Sequence, residues 1–152
     1  MAESVKRVRK VKDFRLKDQN GKDFRLAAFR GKRVLLSFHP LAWTPVCAQQ
    51  MQSLEKNKKA LDDLNTVAVG LSIDSVPCKA AWAGSLKIKK TRLLCDFWPH
   101  GALAKSLGIL RAEGFSERAN ILLDEAGMVM FIKVYPIRQL PDIGEILTVL
   151  KA

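Results

Sequence analysis

The segment Phe38-His-Pro-Leu-Ala-Trp-Thr-Pro-Val-Cys47 puts a cysteine where a thiol is most readily made a thiolate. Gly31-Lys-Arg-Val-Leu-Leu-Ser-Phe38 reads as a short apolar, β-branched strand behind a Gly/Lys break, and Ala48 to Leu64 reads as a helix. Pro45 is tolerated in a first helical turn, where its missing N–H costs nothing, so Cys47 falls within that turn. Unpaired backbone N–H groups and the positive end of the helix macrodipole both favour a negative sulfur. The chemistry expected there is chemistry on sulfur. A second cysteine, Cys78, follows Asp74-Ser-Val-Pro77 in the opening turn of another predicted helix. Cys95 ends a predicted strand and reads as core.

The elements that must position these thiols alternate along the chain. Residues 12–28 read as two short strands around Asn20-Gly21, a dipeptide suited to a tight hairpin turn. Strand 33–38, helix 45–63, strand 66–73 and the helix after Pro77 follow. A short strand at 92–95 leads through Pro99-His-Gly101 to a helix at 102–107. Strand 119–124, the turn Glu125-Ala-Gly127, strand 128–134 and a helix at 139–150 close the chain. This pattern predicts an α/β fold with a central mixed sheet, helices on both faces and an N-terminal β-hairpin.

With 152 residues and 48% hydrophobic content, the chain is the size of one domain spanning residues 1–152, with a basic lead at 1–10. No apolar stretch approaches the roughly 20 residues that cross a bilayer, so no membrane contact and a cytoplasmic location are expected. The net charge is +11, and 12 of the 26 Lys and Arg residues lie in the first 33 positions. They alternate with apolar residues and lack aromatic platforms or a DNA-reading motif, so they read as a solvated basic face with no specific nucleic-acid partner. Three cysteines do not make a secreted disulfide framework. Without Cys-x-x-Cys or His/Cys ligand spacing, neither a metal nor a cofactor is implied.

Pro40-x-x-x-Thr44-x-x-Cys47 resembles the active-site signature of the peroxiredoxins, thiol peroxidases with a thioredoxin-like fold. Asp13-Phe-Arg-Leu-Lys-Asp-Gln-Asn-Gly21 with Leu26-Ala-Ala-Phe-Arg-Gly-Lys32 is similar to that family's opening hairpin. Arg118, ahead of Ala119-Asn-Ile-Leu-Leu-Asp124, resembles its active-site arginine. The resemblance runs from about residue 11 to the C-terminus. It implies that Cys47 attacks one oxygen of hydrogen peroxide or an organic hydroperoxide and becomes a sulfenic acid. Thr44 would hydrogen-bond sulfur and substrate, Pro40 would shield the thiolate, and Arg118 would stabilise charge on sulfur and on the departing oxygen. Glu117 is a candidate to orient Arg118. Gln50 stands where family members often carry a glutamate, and its amide can still hydrogen-bond.

Cys78 resembles the later-helix resolving cysteine of the bacterioferritin-comigratory subgroup, which implies an intramolecular Cys47–Cys78 disulfide recycled by thioredoxin or a related dithiol protein. For that bond the first turns of both helices are expected to unwind. The alternatives are a one-cysteine cycle resolved by an external thiol, and a non-enzymatic redox-responsive binding module using the basic surface. The family leaves monomer and homodimer both open. His39 and His100 are read as structural, since a thiolate held by Arg118 and a helix end needs no base. Trp43, Trp82, Phe97 and Trp98 are read as core, with packing near the site or at a dimer contact as the alternative.

Overall fold

The computed structural model describes residues 9–152, so the basic lead at 1–10 lies almost wholly outside the described residues. The opening hairpin is β1 (Arg15–Lys17) and β2 (Asp23–Arg25), followed by a single 3-10 turn, Leu26–Phe29. Then come β3 (Arg33–Phe38), α1 (Pro45–Lys56), α2 (Lys58–Asp63), β4 (Thr66–Ser72), α3 (Val76–Leu86) and β5 (Arg92–Cys95). The chain continues through α4 (Ala102–Ser106), β6 (Arg118–Leu123), β7 (Val129–Tyr135) and α5 (Ile143–Lys151). Seven strands form one sheet in the order β2-β1-β5-β4-β3-β6-β7. β3, β4 and β5 run parallel, whereas β1, β6 and β7 pair antiparallel to their neighbours. This is the mixed sheet of a thioredoxin-like α/β fold.

β3 is the central strand, and its run Val-Leu-Leu-Ser-Phe is buried on both faces, which is why it reads as continuous rather than alternating. Val34, Leu36 and Phe38 point to the side covered by the hairpin residue Phe24 and by Leu103 and Leu107 around α4. Leu35 points to the other side, against Met51 and Leu54 of α1, Leu61 of α2, Trp82 of α3 and Ile146 and Leu150 of α5. Each fully buried leucine or phenylalanine here contributes about 1.5–3 kcal/mol of hydrophobic stabilisation. Helices therefore cover both faces, four on one and α4 with the hairpin on the other.

Two boundaries differ from expectation. The helix predicted over 45–63 splits at Asn57, whose backbone leaves helical geometry while its side-chain amide donates to Ser53 O at 2.8 Å. Such local side chain–backbone bonding competes with the helix ladder. The last helix begins at Ile143 rather than 139, because Pro141 disfavours a helical residue before it and Asp142 caps Gly144 N–H at 2.8 Å.

The C-terminal ends of β3, β4 and β5 deliver segments 39–44, 73–75 and 96–101 to one edge of the sheet, where ligand sites of parallel sheets form. Asp96, 2% exposed, anchors the last of these: its two carboxylate oxygens accept from Leu103 N and Ala104 N at 3.0 and 2.9 Å. Replacing it leaves two buried amide donors unpaired. Asp96→Ala is expected to cost about 2–3 kcal/mol in urea unfolding, and Asp96→Asn less, since one acceptor remains.

Candidate active site

Strand register and the packing of α1 bring together five residues from three elements. β3 and β6 pair antiparallel with Ser37 opposite Asn120, so Arg118 stands just beyond the end of β3 on the same face as Ser37. α1 packs on that face. Within its first two turns Cys47 and Gln50, three residues apart, share one side of the helix. Gln50 Nε2 donates to Ser37 Oγ at 2.7 Å and to Phe38 O at 3.1 Å, while its Oε1 accepts from Arg118 Nη1 at 2.8 Å. That arrangement settles the amide's orientation, because a carbonyl needs the NH₂ and a guanidinium needs the oxygen. Ser37 Oγ in turn donates to Asn120 Oδ1 at 2.7 Å.

Arg118 is 3% exposed and Cys47 is 0% exposed. The guanidinium donates through Nε to Ile137 O at 2.8 Å, and through Nη1 to Cys47 Sγ at 3.4 Å as well as to Gln50. Among the described residues no carboxylate lies within ion-pair distance of it. A buried, always-ionised guanidinium surrounded by neutral oxygens is costly, and an anionic sulfur at Cys47 would complete the pair.

Glu117 does not orient Arg118. It is bound by Arg111 Nη1 at 2.6 Å, and Gln50 takes the role expected of it. Thr44 sits at the N-cap of α1 in extended geometry, yet its hydroxyl donates to Leu41 O at 2.8 Å rather than capping the helix. Its oxygen lone pairs therefore remain able to accept. Pro40 is buried at the start of the same loop. Cys78 lies in the first turn of α3, its N–H on the Ser75 cap at 3.4 Å and its sulfur 3.7 Å from Asp74 Oδ1. Burial and the Asp74 carboxylate raise the Cys78 thiol above its ordinary value, against a hydrogen bond from Trp43. Asp74 Oδ2 accepts from Ala42 N at 2.9 Å, so one carboxylate joins the loop before Cys47 to the helix that carries Cys78.

Two features were invisible or misread in the sequence. Trp82 is buried, but Trp43, Phe97 and Trp98 are 57%, 52% and 82% exposed. They lie in the loops at the sheet edge, and Trp43 occupies the left-handed region at φ 68°, so the core reading fails for all three. Lys79 is fully buried with its Nζ 2.7 Å from His39 Nε2. The available signal was spacing: Lys79 precedes Trp82 and Ala83 by three and four positions, on the inward stripe of α3. His100 is exposed, its Nε2 against Gly114 O at 2.5 Å. No cluster of His, Cys, Asp and Glu able to hold a metal occurs among the described residues.

Residues 8–132 match the AhpC/TSA family. Alkyl hydroperoxide reductase E of Mycobacterium tuberculosis is 32% identical over 124 residues, 80% of this chain and 80% of that protein. A peroxiredoxin of Hyperthermus butylicus is 34% identical over 131 residues, 82% of this chain and 56% of the longer relative. Among solved structures, the reduced 2-Cys peroxiredoxin of Plasmodium vivax superposes with a TM-score of 0.85 at 28% identity, covering 94% of this chain and 79% of that one. A family match across most of the chain, with relatives of this identity and extent, places the protein in the AhpC/TSA family as a peroxiredoxin, a thiol-dependent peroxidase.

Proposed function

We propose that Cys47 is the peroxidatic residue, that Arg118, Thr44 and Pro40 form its site, and that Cys78 resolves the oxidised sulfur within the same chain. The observation that carries this reading is the buried Arg118 guanidinium 3.4 Å from Cys47 Sγ, with no carboxylate among the described residues to neutralise it. The thiolate attacks the terminal oxygen of ROOH. An S–O bond forms, the O–O bond breaks, and the leaving oxygen takes one proton: Cys47–S⁻ + ROOH + H⁺ gives Cys47–SOH + ROH. Arg118 stabilises negative charge as it passes from sulfur to the leaving oxygen. Thr44 Oγ1, its own proton committed to Leu41 O, accepts the peroxide O–H and aims the oxygen at sulfur. Cys47 is fully covered, so the loop of Pro40 to Thr44 has to give way for substrate to reach it.

Cys78–SH then attacks Cys47–SOH. The S–S bond forms and the proton leaves with the hydroxyl as water; two electrons and two protons from thioredoxin or a similar dithiol protein restore both thiols. The two cysteines are free thiols here, each in the first turn of its helix. Asp74 ties the loop before α1 to the first turn of α3 through Ala42 N and the Cys78 sulfur. Bond formation requires both turns to loosen. Hydrogen peroxide and organic hydroperoxides are the substrates, and a reducing compartment such as the cytoplasm suits the resting thiols.

Three measurements test this reading. Peptide mass analysis after one equivalent of hydrogen peroxide, with free thiols capped, is expected to show loss of two thiols and a Cys47–Cys78 linkage. A persistent Cys47 sulfenic acid would establish the one-cysteine cycle, and an unreactive Cys47 would end the assignment. Arg118→Met is expected to slow Cys47 oxidation by about 10²–10³-fold, read by stopped-flow fluorescence. Because the Cys78 thiol is raised and must lose its proton to attack, disulfide formation is expected to accelerate about tenfold per unit from pH 6 to 8. A pH-independent second phase would mean that Cys78 is not the attacking group.

A further inference from the structure

The Asp74 carboxylate gathers donors from three segments. Its Oδ2 accepts from the buried Ala42 N at 2.9 Å and from the Ser72 hydroxyl at the end of β4, while its Oδ1 accepts from the Cys78 thiol at 3.7 Å. One half-buried side chain therefore spans the loop that leads to Cys47, a strand of the sheet and the first turn of α3. Among the described residues no cation stands within ion-pair distance of Asp74. A carboxylate in that position favours a neutral S–H donor over a thiolate, because two like charges so close oppose each other.

The loop that Asp74 holds is strained. Trp43, one residue after Ala42, sits at φ 68°, a left-handed backbone that a bulky side chain takes only where its surroundings impose it. Two of those surroundings are the Ala42 N–H fixed on Asp74 and the Trp43 indole, which donates to the Cys78 sulfur. The ring itself is 57% exposed, so core packing does not hold it. Asp74 and Cys78 keep the loop closed against a backbone that relaxes on release. The groups facing Cys78 are Asp74 from the β4–α3 turn, Lys79 on α3 and the Trp43 indole from the loop, and Cys95 of β5 lies close enough to sense a charge on it. Burial first and the Asp74 charge second raise the thiol, which the indole and Lys79 offset only in part.

We propose that Asp74 is a positioning residue of the second half of the cycle: it keeps Cys78 protonated and clamps the Cys47 loop to α3, so that its release sets when Cys78 attacks. The inference rests on Cys78 as the resolving residue. The step is Cys47–SOH + Cys78–SH giving Cys47–S–S–Cys78 + H₂O. The S–S bond forms as the S–O bond breaks, the Cys78 sulfur is oxidised as the sulfenic sulfur is reduced, and the thiol proton leaves with the hydroxyl as water. That attack needs a thiolate at position 78 and loosened first turns of α1 and α3. The closed Asp74 contacts oppose both. The carboxylate acts as a brake on Cys78 rather than as its base.

The test uses Asp74→Asn, which keeps an oxygen for Ala42 N, removes the charge and turns the contact with Cys78 from acceptor to donor. Asp74→Ser takes its place if that variant does not fold. The first readout is iodoacetamide labelling of Cys78, followed by peptide mass analysis from about pH 6 to 10, in reduced protein that also carries Cys47→Ser. Labelling at pH 7 is expected to be about three- to tenfold faster than with Asp74 in place, with the midpoint moved down. Unchanged or slower labelling overturns the proposal, since a merely structural aspartate would leave the Cys78 midpoint where it was. The second readout is Cys47–Cys78 disulfide formation after one equivalent of hydrogen peroxide, with both cysteines present. It is expected to accelerate by about the same factor, and a slower rate would make Asp74 the base that activates Cys78 and overturn the brake. If the unsubstituted protein forms no such linkage, the resolving assignment falls by itself, and the labelling, which needs no turnover, still decides whether Asp74 holds Cys78 as a thiol.

Discussion

The centre depends on one constraint: a guanidinium buried at the end of β6 must be satisfied without a carboxylate. Ile137 O, the Gln50 amide and the Cys47 sulfur meet it, and each comes from a different part of the fold. Gln50 is held in turn from β3, through Ser37 and the Phe38 carbonyl. The sheet register, the placement of α1 and the tail after β7 therefore all converge on the geometry of one cation. A neutral amide in this place orients Arg118 and leaves its charge available to sulfur.

The same fold makes three cysteines chemically distinct. Cys95 is sealed in the sheet edge and pushed up to about 11, which leaves it inert as a nucleophile near neutral pH. Cys78 is half-buried, and burial with the Asp74 carboxylate raises its thiol above the ordinary value. Cys47 meets a helix N-terminus and a guanidinium. Burial alone cannot sort them, since Cys47 is the most buried of the three; the sign of the neighbouring charge does.

Much of this was legible in the sequence because it is local. The apolar run of β3 and the Pro45 helix start are readable within a few residues and set the depth of Cys47, and Cys78 falls in the opening turn as expected although α3 begins at Val76, capped by Ser75, rather than after Pro77. Arg118 was readable by resemblance alone, since nothing near it in the chain betrays a partner 71 residues away. Gln50 in place of Glu117 as its support depends on inter-element register, which no window reports. The exposed Trp43, Phe97 and Trp98 were misjudged because hydrophobicity cannot tell a core aromatic from one on a loop. Lys79 was missed for the opposite reason: charge argues for solvent, and only His39 and Trp82 make its burial tolerable.

The amide at position 50 has a consequence for failure as well as for work. With Cys47 as proposed, an enclosure suited to a single negative charge on sulfur would not distinguish a thiolate from the sulfinate that a second peroxide would produce, and among the described residues no carboxylate pairs with Arg118 to repel the latter. Overoxidised Cys47 would rest comfortably against Arg118, and sulfiredoxin-type repair would have to draw it out of a favourable ion pair. On the proposed assignment of Cys47, what would keep the chain from that dead end is timing, the speed with which another thiol reaches the sulfenic acid first.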